Sequence, residues 1–215
     1  MKAEVIKKIE NEKIIVIVRG VEREKLVPLA EAMYEGGIRL LEITYSQNGE
    51  ISDEEIAERI KLLSERFAGK MLIGAGTVLT KKQVRLTKRA GGKFIISPDV
   101  NKGVIKESVK LGLASLPGAL TPTEIAAAHA AGADFVKLFP ITNLGVSYFK
   151  AVKAPLSAVK FLAVGGIDDG NVREYLDAGI SGFGIGSNIV NKKLIDASDF
   201  KAITELAKKY VEAIK

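Results

Sequence analysis

Two ionisable residues stand inside runs of the sequence that are mostly apolar. Lys137 interrupts DFVKLFP (134–140), and Glu42 interrupts LLEIT (40–44). Burying either charge costs free energy unless something compensates it. The return is chemical. A desolvated lysine has a depressed pKa and becomes an amine nucleophile that can form a Schiff base with a ketone. A desolvated carboxylate has a raised pKa and can move protons near neutral pH. Carbinolamine dehydration and carbon deprotonation both need such a group. The plainer reading of Glu42 is a structural buried carboxylate.

Few other residues compete for these roles. Cysteine is absent from the 215 residues, which removes disulfides, thiolate metal sites and cysteine nucleophiles. Such a composition suits a cytosolic protein, and equally a chain whose cysteines were engineered out. The single histidine, His129, lies in the Ala-rich EIAAAHAAGA and reads as a helix-surface residue. One His without Cys does not make a transition-metal site. Glu42 is therefore the proton carrier the sequence offers.

The elements that must position this pair follow a repeat. A helical segment ends at Gly, often Ala-Gly or Gly-Gly, and a short β-rich run follows, as in RAGGKFIISPD and AAGADFVKLFP. Eight apolar runs lie near 14–18, 38–44, 71–74, 93–97, 113–116, 134–138, 160–164 and 181–185. Segments of helical periodicity separate them, which predicts βαβ units and a parallel sheet. Eight units predict a closed (β/α)8 TIM barrel in one domain spanning 1–215. The first 12 residues form an extra helix, and 199–215 the last one. A doubly wound open sheet is the alternative, but no run looks like an antiparallel edge and no G-x-G-x-x-G follows the first.

In such a barrel, chemistry sits at the C-terminal strand ends. Those ends carry Arg19, Glu42 with Thr44, Gly76 with Thr77, Ser97-Pro98-Asp99, Lys137, VGGI (164–167) and GIGSN (184–188). Each has a simpler alternative: a structural ion pair for Arg19, turn capping for Thr44 and Thr77. Lys93 and Lys160 start their runs, where side chains reach solvent, and read as structural. The glycine-rich turns at Gly165-Gly166 and Gly186-Ser187 follow the last two runs. Their backbone N–H groups, with the Ser187 hydroxyl, suit a phosphate.

IVIVRG, GGIRLLEIT, IGAGTV, FIISPDVN, PGALTPTE, DFVKLFP, VGGI and GIGSNIV occur in an order that resembles the KDPG/KHG aldolases, the 2-dehydro-3-deoxy-phosphogluconate / 4-hydroxy-2-oxoglutarate aldolases. The resemblance spans about Ile14 to Val190. It implies a class I aldolase barrel, a homotrimer, with no metal and no organic cofactor. It makes Lys137 the Schiff-base lysine and Glu42 the proton shuttle. It assigns Arg19 and Thr77 to the pyruvyl carboxylate and Pro98 and Phe139 to the pyruvate pocket. Gly165, Gly166, Gly186 and Ser187 match its phosphate-contacting turns. The chain departs from the family pattern at Ser46, where many members carry arginine, and at Val164, where many carry threonine. Both changes thin the polar contacts at the distal end of the substrate.

The remaining composition sets the expected partners. The net charge is +6, but Lys and Arg are interleaved with Glu along helices, as in SDEEIAERIKLLSERFAGK (52–70), which reads as a solvated helix face. A small anionic substrate (pyruvate, a phosphorylated aldehyde) fits this charge; nucleic acid is not expected. No leader and no membrane-length apolar run is visible, so a cytoplasmic protein is expected. Two further readings remain at this stage: a phosphate-binding barrel epimerase or isomerase, and a family barrel serving as an oligomeric or engineered scaffold.

Overall fold

The computed structural model describes residues 2–215, and Met1 lies outside it. Helix α1 (Lys2–Glu12) leads into β1 (Ile14–Val18), followed by α2 (Arg23–Glu35), β2 (Leu40–Thr44), α3 (Asp53–Arg66) and β3 (Leu72–Gly76). Next come α4 (Lys81–Arg89), β4 (Phe94–Ile96), α5 (Lys102–Lys110), β5 (Ala114–Leu116) and β6 (Gly118–Ala119). The chain closes with α6 (Pro122–Ala130), β7 (Val136–Leu138), α7 (Gly145–Lys153), β8 (Phe161–Val164), α8 (Val172–Asp177), β9 (Gly182–Ile185), α9 (Lys192–Asp196) and α10 (Phe200–Ala213).

Every strand pairing is parallel, in the order β5-β4-β3-β2-β1-β9-β8-β7-β6. The two ends of that order are consecutive in the chain. β5 pairs with β4, Pro117 follows, and β6 pairs with β7. Proline has no N–H for a ladder, so a stave broken there divides its hydrogen bonding between two neighbours. β5 and β6 are thus one stave, and the sheet closes as the predicted barrel rather than the open alternative. The fifth run continues past Pro117 as a second short strand, and the third ends at Gly76, the strand end at which the sequence places Gly76 and Thr77.

Two apolar layers form. One lies between the sheet and the surrounding helices. The other fills the bore with Ile15, Leu40, Phe94, Leu116, Phe135 and Leu162, together with Val5 and Ile9 of α1. Helix α1 therefore plugs the N-terminal end of the barrel, and the opposite mouth is left for polar groups. Thr80 and Thr121 start α4 and α6 with reciprocal capping boxes, to Gln83 and Glu124. Among the described residues no helix is long and apolar enough to cross a membrane.

Candidate active site

Strand alternation selects which side chains enter the bore. In β2, Leu41 and Ile43 join the outer layer, while Leu40 belongs to the bore floor. Glu42 and Thr44 share Leu40's face, higher towards the mouth. In β7, Lys137 follows Phe135 by two residues and pairs in register with Gly118 and Leu162. An apolar floor thus lies beneath both ionisable groups. Glu42 is 2% exposed and Lys137 is 8% exposed.

Burial dominates the electrostatics of both. It pushes the Glu42 carboxyl up; the charges of Lys137 and Arg19 and the Thr44 hydroxyl oppose it without cancelling it. Burial pushes the Lys137 ammonium down, against the attraction of Glu42 and with help from the Arg19 charge. The pair is biased towards a neutral amine and a protonated acid. Thr44 Oγ1 donates to Glu42 Oε1 at 3.3 Å, and Glu42 Oε2 is buried with no partner among the described residues. Lys137 Nζ lies 4.3 Å from the centre of the Phe139 ring, which walls one side of the amine. Space for the carboxylate comes from β3: a Cβ at Gly76 would sit 1.5 Å from Glu42 Oε1.

Around this centre lie the other predicted residues. Arg19, exposed after β1, donates from Nη2 to Thr77 Oγ1 at 3.2 Å. Thr77 holds a left-handed backbone, φ 52°, a conformation that costs a β-branched residue free energy. The half-buried Pro98 follows β4, and its carbonyl oxygen is 2.6 Å from where a Cβ at Gly118 would stand. Gly165 and Gly166 follow β8 with φ of 93° and 70°. Gly186 and the exposed Ser187 follow β9. The N–H groups of Gly166, Gly186 and Ser187 donate to no described residue, which leaves them open to an anion. Ser46 Oγ donates to Asn48 Oδ1 at 2.5 Å, and Val164 is buried.

Several sequence readings resolve here. Thr44 and Thr77 cap no turn; their hydroxyls serve Glu42 and Arg19. Lys93 is exposed, and Lys160 pairs with Glu10 at 2.7 Å. His129 is exposed in the last turn of α6. The reading of 52–70 as a solvated face fails at one residue: Arg59 is 8% exposed. Its i,i+4 spacing from Glu55 is visible in the sequence, but its long-range partner is not. Gly76 gave no signal beyond being a glycine at a strand end.

The chain matches the model of the KDPG and KHG aldolase family over residues 5–206. It is 32% identical over 203 residues to the 2-dehydro-3-deoxy-6-phosphogalactonate aldolase of Escherichia coli (strain K12), covering 94% of this chain and 96% of that one. It is 34% identical over 208 residues to the 2-dehydro-3-deoxy-phosphogluconate aldolase of Treponema pallidum (strain Nichols), covering 96% of this chain and 95% of that one. The crystal structure of the Legionella pneumophila KDPG aldolase superposes with a TM-score of 0.84 at 30% identity, over 97% of both chains. That structure holds pyruvate captured at low pH as a covalent carbinolamine.

Proposed function

Because the chain belongs to the KDPG and KHG aldolase family, it is an aldehyde-lyase, and we propose that it cleaves a 2-keto-3-deoxy-6-phosphohexonate through a Schiff base on Lys137. The products are pyruvate and glyceraldehyde 3-phosphate. The observation that carries this reading is a desolvated lysine in the bore, electrostatically coupled to a desolvated carboxylate above an apolar floor.

Each step follows from the protonation states that burial favours. Neutral Lys137 attacks the C2 ketone, and protonated Glu42 gives its proton to the departing hydroxyl of the carbinolamine. Glu42, now a carboxylate, takes the proton of the C4 hydroxyl as the C3–C4 bond breaks. The bonding electrons pass into the iminium and form an enamine, and the aldehyde leaves. Glu42 then returns its proton to C3, and water hydrolyses the imine to release pyruvate. Arg19 and Thr77 hold the pyruvyl carboxylate, which aligns the breaking bond with the iminium. Phe139 and Pro98 wall the pyruvate pocket. The turns at Gly165-Gly166 and Gly186-Ser187 take the phosphate through backbone N–H groups. With Ser46 tied to Asn48 and Val164 apolar, these backbone donors carry more of the distal recognition.

The site takes a small anion and needs no nucleic acid, metal or organic cofactor. The working form is a homotrimer of single-domain barrels in the cytoplasm, which sedimentation of the purified chain checks at the level of assembly. The chemistry is tested by borohydride reduction in the presence of pyruvate: a stable adduct is expected on Lys137 by peptide mass spectrometry. No adduct, or adducts only on surface lysines, rejects the Schiff base. Pyruvate release from 2-keto-3-deoxygluconate and 2-keto-3-deoxygalactonate, each with and without the 6-phosphate, defines the substrate.

A further inference from the structure

The helix residue Arg59 is out of place as a solvated charge and is not used by the mechanism. It projects from α3, its side chain is 9% exposed, and its Nη2 donates to Glu55 Oε1 at 2.7 Å. Its Nη1 donates 2.8 Å to the carbonyl oxygen of Val21, 38 residues away, in the loop joining β1 to α2. Nε is buried with no partner among the described residues. A guanidinium taken out of water with one donor unmatched is expensive, and helix α3 would form without it. What the arrangement holds is the loop. Gly20 turns that loop with φ 64°, and Arg19 stands immediately before it. Arg19 and Arg59 line the same cavity of about 310 Å³ beside the mouth. Among the described residues Arg19 itself has a single side-chain hydrogen bond, to Thr77 at 3.2 Å, and it is exposed, so its direction depends on the backbone that carries it.

We propose that Arg59 is a positioning residue for the aldol reaction: by anchoring the Val21 carbonyl it fixes the β1–α2 loop and so aims Arg19 at the substrate carboxylate. The inference rests on the role given to Arg19 above. Arg59 touches no reacting atom. Its removal leaves the lysine–carboxylate chemistry intact and loosens the grip on the pyruvyl end. Lysine at this position is long enough to donate to the same carbonyl but lacks the fork that also meets Glu55.

The experiment is borohydride trapping over a range of pyruvate concentrations, with steady-state cleavage kinetics, for wild type, Arg59→Met, Arg59→Lys and Arg19→Ala. Arg59→Met is expected to raise the half-saturating pyruvate and the KM by about tenfold, with a smaller fall in kcat because Arg19 also aligns the breaking bond. Arg59→Lys recovers part of that loss. An Arg59→Met protein that loses thermal stability but keeps wild-type KM overturns the proposal, because a purely structural arginine behaves so. Should Arg59→Met not fold, Glu55→Gln removes the exposed brace instead. A KM rise without a fall in Tm then supports the proposal, and an unchanged KM overturns it. Failure of the underlying reading looks different: no trapped adduct in wild type, or an Arg19→Ala protein with wild-type half-saturation.

Discussion

At the residue scale, the site is defined by two groups whose burial acts in opposite directions on pH dependence. Glu42 titrates above its free value of 4.5 and Lys137 below its free value of 10.5. For Glu42 the folded state binds more protons than the unfolded one between 4.5 and its raised pKa. Stability is greatest below that window and falls as pH rises through it. For Lys137 the unfolded state binds more protons between the depressed value and 10.5, so stability falls as pH drops through that window. Around neutrality both groups therefore cost stability when charged. The double variant Lys137→Met, Glu42→Gln is expected to be inactive and more stable, by about 1–4 kcal/mol in chemical denaturation at neutral pH. A double variant less stable than wild type would mean that the pair is structural. Glu42→Gln alone is expected to lower turnover by roughly 10²–10⁴-fold while pyruvate still binds, measured as kcat against the pyruvate concentration needed for trapping; equal turnover would remove Glu42 from the mechanism.

At the element scale, the site depends on how closely β2 and β3 approach. Glu42 pairs with Gly74 and Thr44 with Gly76, so the inward side of β3 carries no side chain opposite the carboxylate. Gly76→Ala would place a methyl group inside the space of Glu42 Oε1. It is expected to lower kcat by about 10²-fold through a displaced carboxylate and stability by about 1–3 kcal/mol; normal kcat in this variant would show that Glu42 tolerates displacement. The strands and the bore-facing pair were legible in the sequence, because apolar runs after Gly and an interrupting charge are local signals. The stave divided at Pro117 was not, since each half's partner is set by barrel closure. Nor was Arg59: its charge sits among exposed Glu and Lys on α3, and only the Val21 carbonyl brought in by the fold distinguishes it. Thr77 shows the same limit. Its type and strand-end position were readable, but its left-handed backbone and its contact with Arg19 needed the packed mouth.

At the scale of the whole molecule, the barrel separates stability from chemistry along its axis. Ile9 of α1 is fully buried against the bore cluster that includes Phe94, Phe135 and Leu162, at the end opposite Arg19 and Thr77. Phe135 stands two residues before Lys137 on the same strand face, so a packed apolar floor lies between the plug and the layer of Lys137 and Glu42. Ile9→Ala should then cost about 2–5 kcal/mol of global stability through the cavity it leaves. Because packed interiors relax only partially around such a cavity, the floor should hold and Lys137 should keep its surroundings. Denaturant unfolding is expected to show the lower midpoint, while kcat/KM for aldol cleavage, measured well below that midpoint, stays within about twofold of wild type, a free-energy difference of only a few tenths of a kcal/mol. A large fall in kcat/KM with the fold intact would mean that α1 is coupled to the lysine through Phe135. The plug would then belong to the active site and not only to the core.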